Sequence, residues 1–387
     1  MTPAEADSFA TATAAYVHMP FCSTVCPYCN FAVVAGRDDQ MARYVEAVCS
    51  EISRAEHWRR LDAVYFGGGT PSRIRPALLG RVLDALASKH GIATGAEMSI
   101  EANPEDFTAT KGRELRALGF NRVSFGAQSF DPVVLQNLGR RHEGSHIEAS
   151  ARAAREAEIE NISIDLIYGT PDESDQSWVE SLSRSLALDP THMSCYALTV
   201  EPGTPLGRAV NNGAAGPDPD TQADRYQAAD HLLTQYGFDR YEVSNWSKPG
   251  YECRYNLTVW AQGEYEGYGN GAHGFRDSRR YRNHRRLDAY LARVEAGDSP
   301  RAGEDRIEGW DAEMDRLFVG LRRTVGVTRG SGTDALRSSW EGQMLIDAGI
   351  IAEDHGRLRV LNPLLTDAVH RSVLAQKPPI VGADAHA

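Results

Sequence analysis

Three cysteines fall within eight residues of the stretch "YVHMPFCSTVCPYCNF", Tyr16 to Phe31: Cys22, Cys26 and Cys29, with His18 just ahead of them. Six cysteines in 387 residues is ordinary intracellular usage, far from the density of a disulfide scaffold. The clustered thiols are therefore expected to be reduced or metal-bound. Two kinds of metal chemistry suit them. Zinc accepts a Cys3His set, with His18 as the fourth ligand, although structural zinc ligands usually come as two separated pairs and these lie in one loop. A 4Fe–4S cluster held by three thiolates instead keeps one iron open for an exchangeable ligand. Three cysteines suit reactivity better than closure.

The elements that would position this loop form a repeating pattern. Short β-branched runs alternate with longer amphipathic stretches over the first two hundred residues, the signature of βα units with parallel strands. Six strands are expected: Ala14 to His18, Ala63 to Phe66, Glu97 to Glu101, Arg122 to Gly126, Ser163 to Ile167 and His192 to Leu198. Between the first two, Tyr44, Val45, Val48 and Ile52 recur at helical spacing. Six units predict an α/β fold, a curved (βα)6 partial barrel. The cysteine loop follows the first strand, and polar or glycine-containing segments follow most of the others: "GGGTPS" after Phe66, "ANPED" after Glu101, "GAQSF" and "DLIYGTP". Ligand sites of parallel βα folds lie at that carboxyl edge.

The remainder divides into smaller pieces. Residues 1–13 are expected to be disordered, 14–286 to form the barrel with its carboxyl-terminal extension, 287–374 to form a small α/β module of winged-helix outline, and 375–387 to be a disordered tail. "AVNNGAAGPDPD" (Ala209 to Asp220) reads as a surface loop or lid. Cys49 and Cys195 fall inside a helix and a strand pattern, as core thiols do. A formal charge of -12 argues against a phosphate-tracking nucleic-acid binder. The arginine-rich "FRDSRRYRNHRR" (Phe275 to Arg286) reads as a solvated loop or helix face, with an anionic ligand such as a carboxylate-bearing tetrapyrrole as its alternative. No secretion signal or apolar run of bilayer-spanning length is seen, so a cytoplasmic location is expected.

The cysteine motif with its leading "YVHMPF" and with Tyr28 before the last cysteine resembles the cluster motif of the radical S-adenosylmethionine (SAM) superfamily. That resemblance implies a 4Fe–4S cluster on Cys22, Cys26 and Cys29, with SAM on the fourth iron. It further implies SAM contacts at Tyr16, Tyr28, Gly68, Gly69, Thr70, Glu101, Gln128, Arg140, Asp165 and Ala197. The glycines let a backbone approach the ligand, and Glu101 would take the ribose hydroxyls. The blocks "YFGGGTPS", "SIEANPE", "RVSFGAQSF", "IDLIYGTP", "LTVEPGTPL", "YEVSNW" and "GNGAHG" resemble, in order, those of the anaerobic coproporphyrinogen III oxidase-like family over about Tyr16 to Leu374.

Within that family the oxidases of porphyrin biosynthesis usually carry a further cysteine where this chain has Phe31, and a longer arm than the fifteen residues before Tyr16. Both features make the chain similar to the HemW-type haem chaperones. The implied function is to bind haem and pass it to acceptor haemoproteins, with oxidative decarboxylation of coproporphyrinogen III as the alternative and a zinc-binding structural module as the second. Whether the chain turns over as an enzyme stays open. Implied partners are haem and its acceptors, with peripheral contact to membrane-bound respiratory proteins and a homodimer as further expectations. The chaperones show a His-Asn-x-x-Tyr-Trp box implicated in haem binding, and this chain reads "YNLTVW", with Tyr255 and Val259 replacing the histidine and tyrosine and only Asn256 and Trp260 kept. Tyr255 is then the first candidate for the haem ligand, as a phenolate, with Cys253, His273 and His284 as others.

Overall fold

The computed structural model describes residues 2–378, and its centre is the expected set of strands, the first five somewhat longer than their sequence patterns and the sixth one residue shorter. They are β1 (Thr13–Met19), β2 (Leu61–Gly68), β3 (Ile92–Ala102), β4 (Arg122–Gln128), β5 (Asn161–Tyr168) and β6 (His192–Ala197). All six run parallel and lie side by side in chain order, as right-handed βα crossovers require. One set of alternate residues, including Val17, Val64, Ile100, Val123, Phe125, Ile164 and Leu166, is buried in the main apolar core. The helix Met41–Arg54 buries Tyr44, Val45, Val48 and Ile52 there, one stripe of its surface. Each such side chain taken fully out of water is worth about 2 kcal/mol.

The sheet continues past both edges. Glu264–Tyr268 pairs parallel with β1, followed outward by antiparallel His273–Arg276, Arg279–Asn283 and Arg301–Arg306, while Asn245–Ser247 and Asp239–Arg240 flank β6. The arginine-rich stretch is therefore mostly a hairpin turning at Asp277–Ser278, where both residues have positive φ, and is neither loop nor helix.

Two expected boundaries move. The helix Leu287–Glu295 packs on the barrel core, with the Tyr290 hydroxyl donating to Glu51 at 2.6 Å, and Arg301–Arg306 belongs to the main sheet. The small module's own core, with Leu317, Leu336, Ile351 and Val369, starts only at Met314. It holds a three-stranded antiparallel sheet whose hairpin turns at His355 and Gly356, in winged-helix outline. The expected loop at 209–220 shrinks because the helix Pro205–Asn211 runs into it and Pro219 starts the next helix behind an Asp218 cap. Of the tail, Ala375 to Pro378 are described and Gln376 is held to Ser372 and Ser339, while 379–387 lie outside the described residues.

The amino-terminal segment, expected to be disordered, contains a helix at Pro3–Ser8. Thr2 and Glu5 form its capping box. Ala6 is fully buried, and Asp7 takes both guanidinium nitrogens of Arg357, at 2.8 and 3.0 Å, while Arg323 donates to the Ala6 carbonyl. The segment clamps the small module, which is why composition alone misses its order. No helix among the described residues is long and apolar enough to cross a membrane.

The clamp has a measurable size. Asp7→Ala leaves Arg357, whose side chain is only 7% exposed, without its carboxylate. Because Asp7 itself is half exposed, the expected loss is about 1 kcal/mol, read as a lower denaturant midpoint. Asp39→Ala, at an exposed position with no ion pair among the described residues, is expected to change nothing.

Candidate functional site

A cavity of about 370 Å³ opens at the carboxyl edge of β1–β6, and its wall includes Cys22, Cys26, Cys29, Tyr28, Gly68, Gly69, Thr70, Glu101, Gln128, Arg140, Asp165 and Ala197. Twelve residues singled out from sequence converge there although they span Cys22 to Ala197. Parallel strands paired side by side bring successive strand ends to one rim.

The cysteine loop is fastened to the rim by cations and hydroxyls. Arg140 donates one nitrogen to Cys26 Sγ at 3.8 Å and another to Asn103 Oδ1 at 2.6 Å and to the Gly126 carbonyl at 3.0 Å. Thr70 Oγ1 donates to Cys22 Sγ at 3.8 Å. Burial pushes the Cys22 thiol up to about 11 and raises Cys29, so these thiols stay protonated until a metal takes the proton's place. Among the described residues, no three His, Cys, Asp or Glu side chains converge closely enough to hold a single metal ion. A four-iron cluster makes no such demand, since each thiolate takes its own iron.

His18 is occupied elsewhere. Its Nε2 donates to the Ala32 carbonyl at 3.0 Å, and its Nδ1 accepts from the Tyr16 hydroxyl at 3.2 Å. Burial lowers it to about 4, which keeps the ring neutral. With both nitrogens used, it cannot complete a Cys3His zinc set, and that reading is corrected.

The glycine run is sterically required. A Cβ on Gly69 would lie 2.8 Å from the Met19 carbonyl oxygen and 2.9 Å from that of Phe21, and Gly68 has φ +112. Glu101 accepts from the Gly68 amide and the Tyr65 hydroxyl, both at 2.9 Å. Burial still dominates and lifts its carboxyl to about 7. Asp165 is also raised by burial, against hydrogen bonds from Ser124, at 2.8 and 3.0 Å, and Ser163 at 2.9 Å. Gln128 sits on a β-bulge with φ +63, which re-aims its side chain at the end of β4.

Two expected residues lie elsewhere. Tyr16 and Tyr255 are not on the cavity wall: with Tyr65 they form a stack, ring centroids 5.1 to 6.1 Å apart, and Tyr255 meets Tyr265 edge-on. Tyr255 sits on the helix Arg254–Trp260, which packs against β1 and β2. Burial drives its phenol well above the ordinary range, so the proton stays on unless a metal displaces it. The Tyr255 ring is engaged in these aromatic contacts, and Cys253 is fully buried with its thiol pushed up to about 12. Sequence reading also missed Arg122, 2% exposed on the cavity wall, whose Nε and Nη1 have no partner among the described residues. An arginine opening an apolar strand, followed at two-residue spacing by Ser124, was the available signal.

Three thiols on one loop, a glycine cradle and a roomy cavity that mixes polar strand ends with apolar walls suit a cluster with a small amphoteric ligand. The Radical SAM superfamily profile matches residues 16–184, so the fold and the site together define a radical SAM protein, whose cofactors are a 4Fe–4S cluster and SAM. Sequence comparison reaches further. The chain is 38% identical to the heme chaperone HemW of Mycobacterium tuberculosis (strain H37Rv) over 93% of this chain and 94% of that protein, and 39% identical to that of Synechocystis over 82% and 79%. It belongs to the HemW family. The solved structure of the radical SAM enzyme coproporphyrinogen III oxidase (HemN) from Escherichia coli shares the fold, with a TM-score of 0.81 over 95% of this chain and 92% of that one at 22% identity.

The raised Glu101 carboxyl has a pH consequence. A folded value of about 7 against an unfolded one near 4.5 means that its contribution to stability is fully present below pH 4.5 and is lost as pH rises through 7. Glu101→Gln removes this dependence. In metal-free protein, the melting temperature of the variant relative to wild type is expected to rise between pH 5 and pH 8. Parallel melting curves at both pH values would show that burial does not set this carboxyl.

Proposed function

We propose that this chain binds haem and delivers it to acceptor haemoproteins from the cytoplasm, with Cys22, Cys26 and Cys29 carrying the cluster and the cavity residues carrying SAM. The observation that carries this reading is the near full-length likeness to proteins named heme chaperone. Phe31 supports it: it stands, 63% exposed beside the cysteine loop, where the resemblance puts a further cysteine in the oxidases. Bound together, the cluster and SAM supply one-electron chemistry to the cavity. The chain's own residues do the rest. Arg140 and Thr70 compensate thiolate charge, the Gly68–Gly69 backbone and Glu101 receive the amino and hydroxyl groups of SAM, and Gln128, Asp165, Tyr28 and Ala197 shape the far wall. Tyr16 acts behind Glu101 through the aromatic stack. On this reading the cofactors support haem transfer and the chain is not a porphyrinogen decarboxylase. Peripheral contact with membrane-bound respiratory proteins and a homodimer belong to the same proposal.

One anaerobically reconstituted sample tests it, given haem in one portion and coproporphyrinogen III with reductant and SAM in another. Stoichiometric haem binding without protoporphyrinogen is the expected outcome. Sustained decarboxylation would make the chain an oxidase.

A further inference from the structure

Haem is an apolar plate with two carboxylates along one edge and an iron that needs a donor atom. A surface that holds it must offer an apolar side chain, cations and a neutral ligand within one patch. The box that would supply the ligand in the chaperones has no histidine here, and its Tyr255 is engaged in an aromatic stack, so another element is the place to look for a donor.

Such a patch borders the cysteine loop. Arg285 donates to the carbonyl of Asn30, the residue before Phe31. On the other side of Phe31, Ala32 lies against Gly271, where an added Cβ would come within 2.5 Å of the Ala32 Cβ and 3.8 Å of the Arg285 Cα. His273 follows two residues later and pairs across the sheet with Arg282. It is exposed, and its ring makes no hydrogen bond among the described residues. Arg280, the next cation along, is spent on Asp315 at 2.7 Å. Arg282 is 53% exposed and meets only the mostly exposed Asp305 at 3.5 Å, and Arg285 has no carboxylate partner among the described residues. Two guanidiniums are thus left with carboxylate-binding capacity.

We propose that this face is the haem site of the chain, with His273 as the axial ligand, Phe31 against the porphyrin plane, and Arg282 and Arg285 on the propionates. The inference rests on the haem-binding reading above and names its place. Partial burial, and then Arg282, Arg280 and Arg285, lower the His273 pKa, so the ring is neutral at physiological pH with a lone pair to give. His18 has both nitrogens occupied, and Cys253 is sealed in the core. The site also puts the plate next to the cluster loop.

Haem titration of the full-length chain, followed by the Soret band and magnetic circular dichroism, tests this. Iron–sulfur content and far-UV circular dichroism report on integrity. Wild type is expected to give a histidine-ligated spectrum. His273→Ala is expected to weaken binding at least about tenfold and to lose that spectrum, with added imidazole restoring it. Arg282→Gln with Arg285→Gln is expected to weaken binding of haem but not of haem dimethyl ester, which lacks the charged propionates, and Tyr255→Phe is expected to titrate as wild type. Wild-type affinity and spectrum in His273→Ala, or loss of the histidine signature in His284→Ala or Tyr255→Phe instead, would overturn the site while leaving haem binding intact. Failure of the wild-type chain to bind haem at all would instead remove the functional reading itself.

Discussion

A parallel sheet that curls into a partial barrel turns every second side chain toward a shared interior, and in this chain that interior is polar. Glu97, Ser99 and Glu101 come from β3, Arg122 and Ser124 from β4, Ser163 and Asp165 from β5, and His192 and Ser194 from β6. An ordinary barrel core would be filled with branched apolar residues. Taking carboxylates out of water is costly unless they are hydrogen-bonded, and the interior meets that demand in rows. Ser99 and the Arg254 amide donate to Glu97, Ser124 and Ser163 donate to Asp165, and His192 bridges Ser163 and Tyr241. What remains unsatisfied, notably two nitrogens of Arg122, borders the open cavity. The polar lumen thus keeps the strand ends apart and wet enough to take a polar cofactor, at the expense of a dry core.

That constraint also explains the loop of thiols. Between Cys22 and Val34 the loop has no helix or strand of its own, only turns such as that from the Cys29 amide to the Cys26 carbonyl. It is held from outside by Arg140, Thr70 and the packing of Ala32 on Gly271. Arg140 is half-buried and shares its donors among a thiol, an amide and a carbonyl, so one side chain registers the loop against β3 and β4. The two ends of the barrel have different duties. The carboxyl edge carries the chemistry, while the other is stoppered by the helix Arg254–Trp260 and the Tyr16, Tyr65 and Tyr255 rings.

Much of this was legible in the sequence because periodicity and strand-end chemistry are local signals. The βα alternation gave all six barrel strands, the rule that ligands gather at the carboxyl edge pointed to the segments after them, and the resemblance to the radical SAM superfamily named the twelve residues that meet on the wall. Long-range contacts were not legible. The helix at Pro3–Ser8 has weak local signals, and its order comes from Arg357, 350 residues away along the chain. The Leu287–Glu295 helix looked like the start of a new domain, yet its Tyr290 bonds to Glu51 in the barrel. Tyr255 could be placed on a motif but not in a stack, since nothing in "YNLTVW" says which rings it will meet. Arg122 was overlooked because a buried, unpaired guanidinium contradicts the usual rule for arginine, and such contradictions gather where a ligand belongs.

The central claim is that the three thiols hold a cluster whose fourth iron is free to meet SAM inside the polar cavity. Electron paramagnetic resonance of the anaerobically reconstituted, dithionite-reduced chain, recorded without and with SAM, tests it most directly. A reduced 4Fe–4S signal whose g values shift on adding SAM is the expected result. A stoichiometric zinc content without iron, or a cluster signal unmoved by saturating SAM, would contradict it.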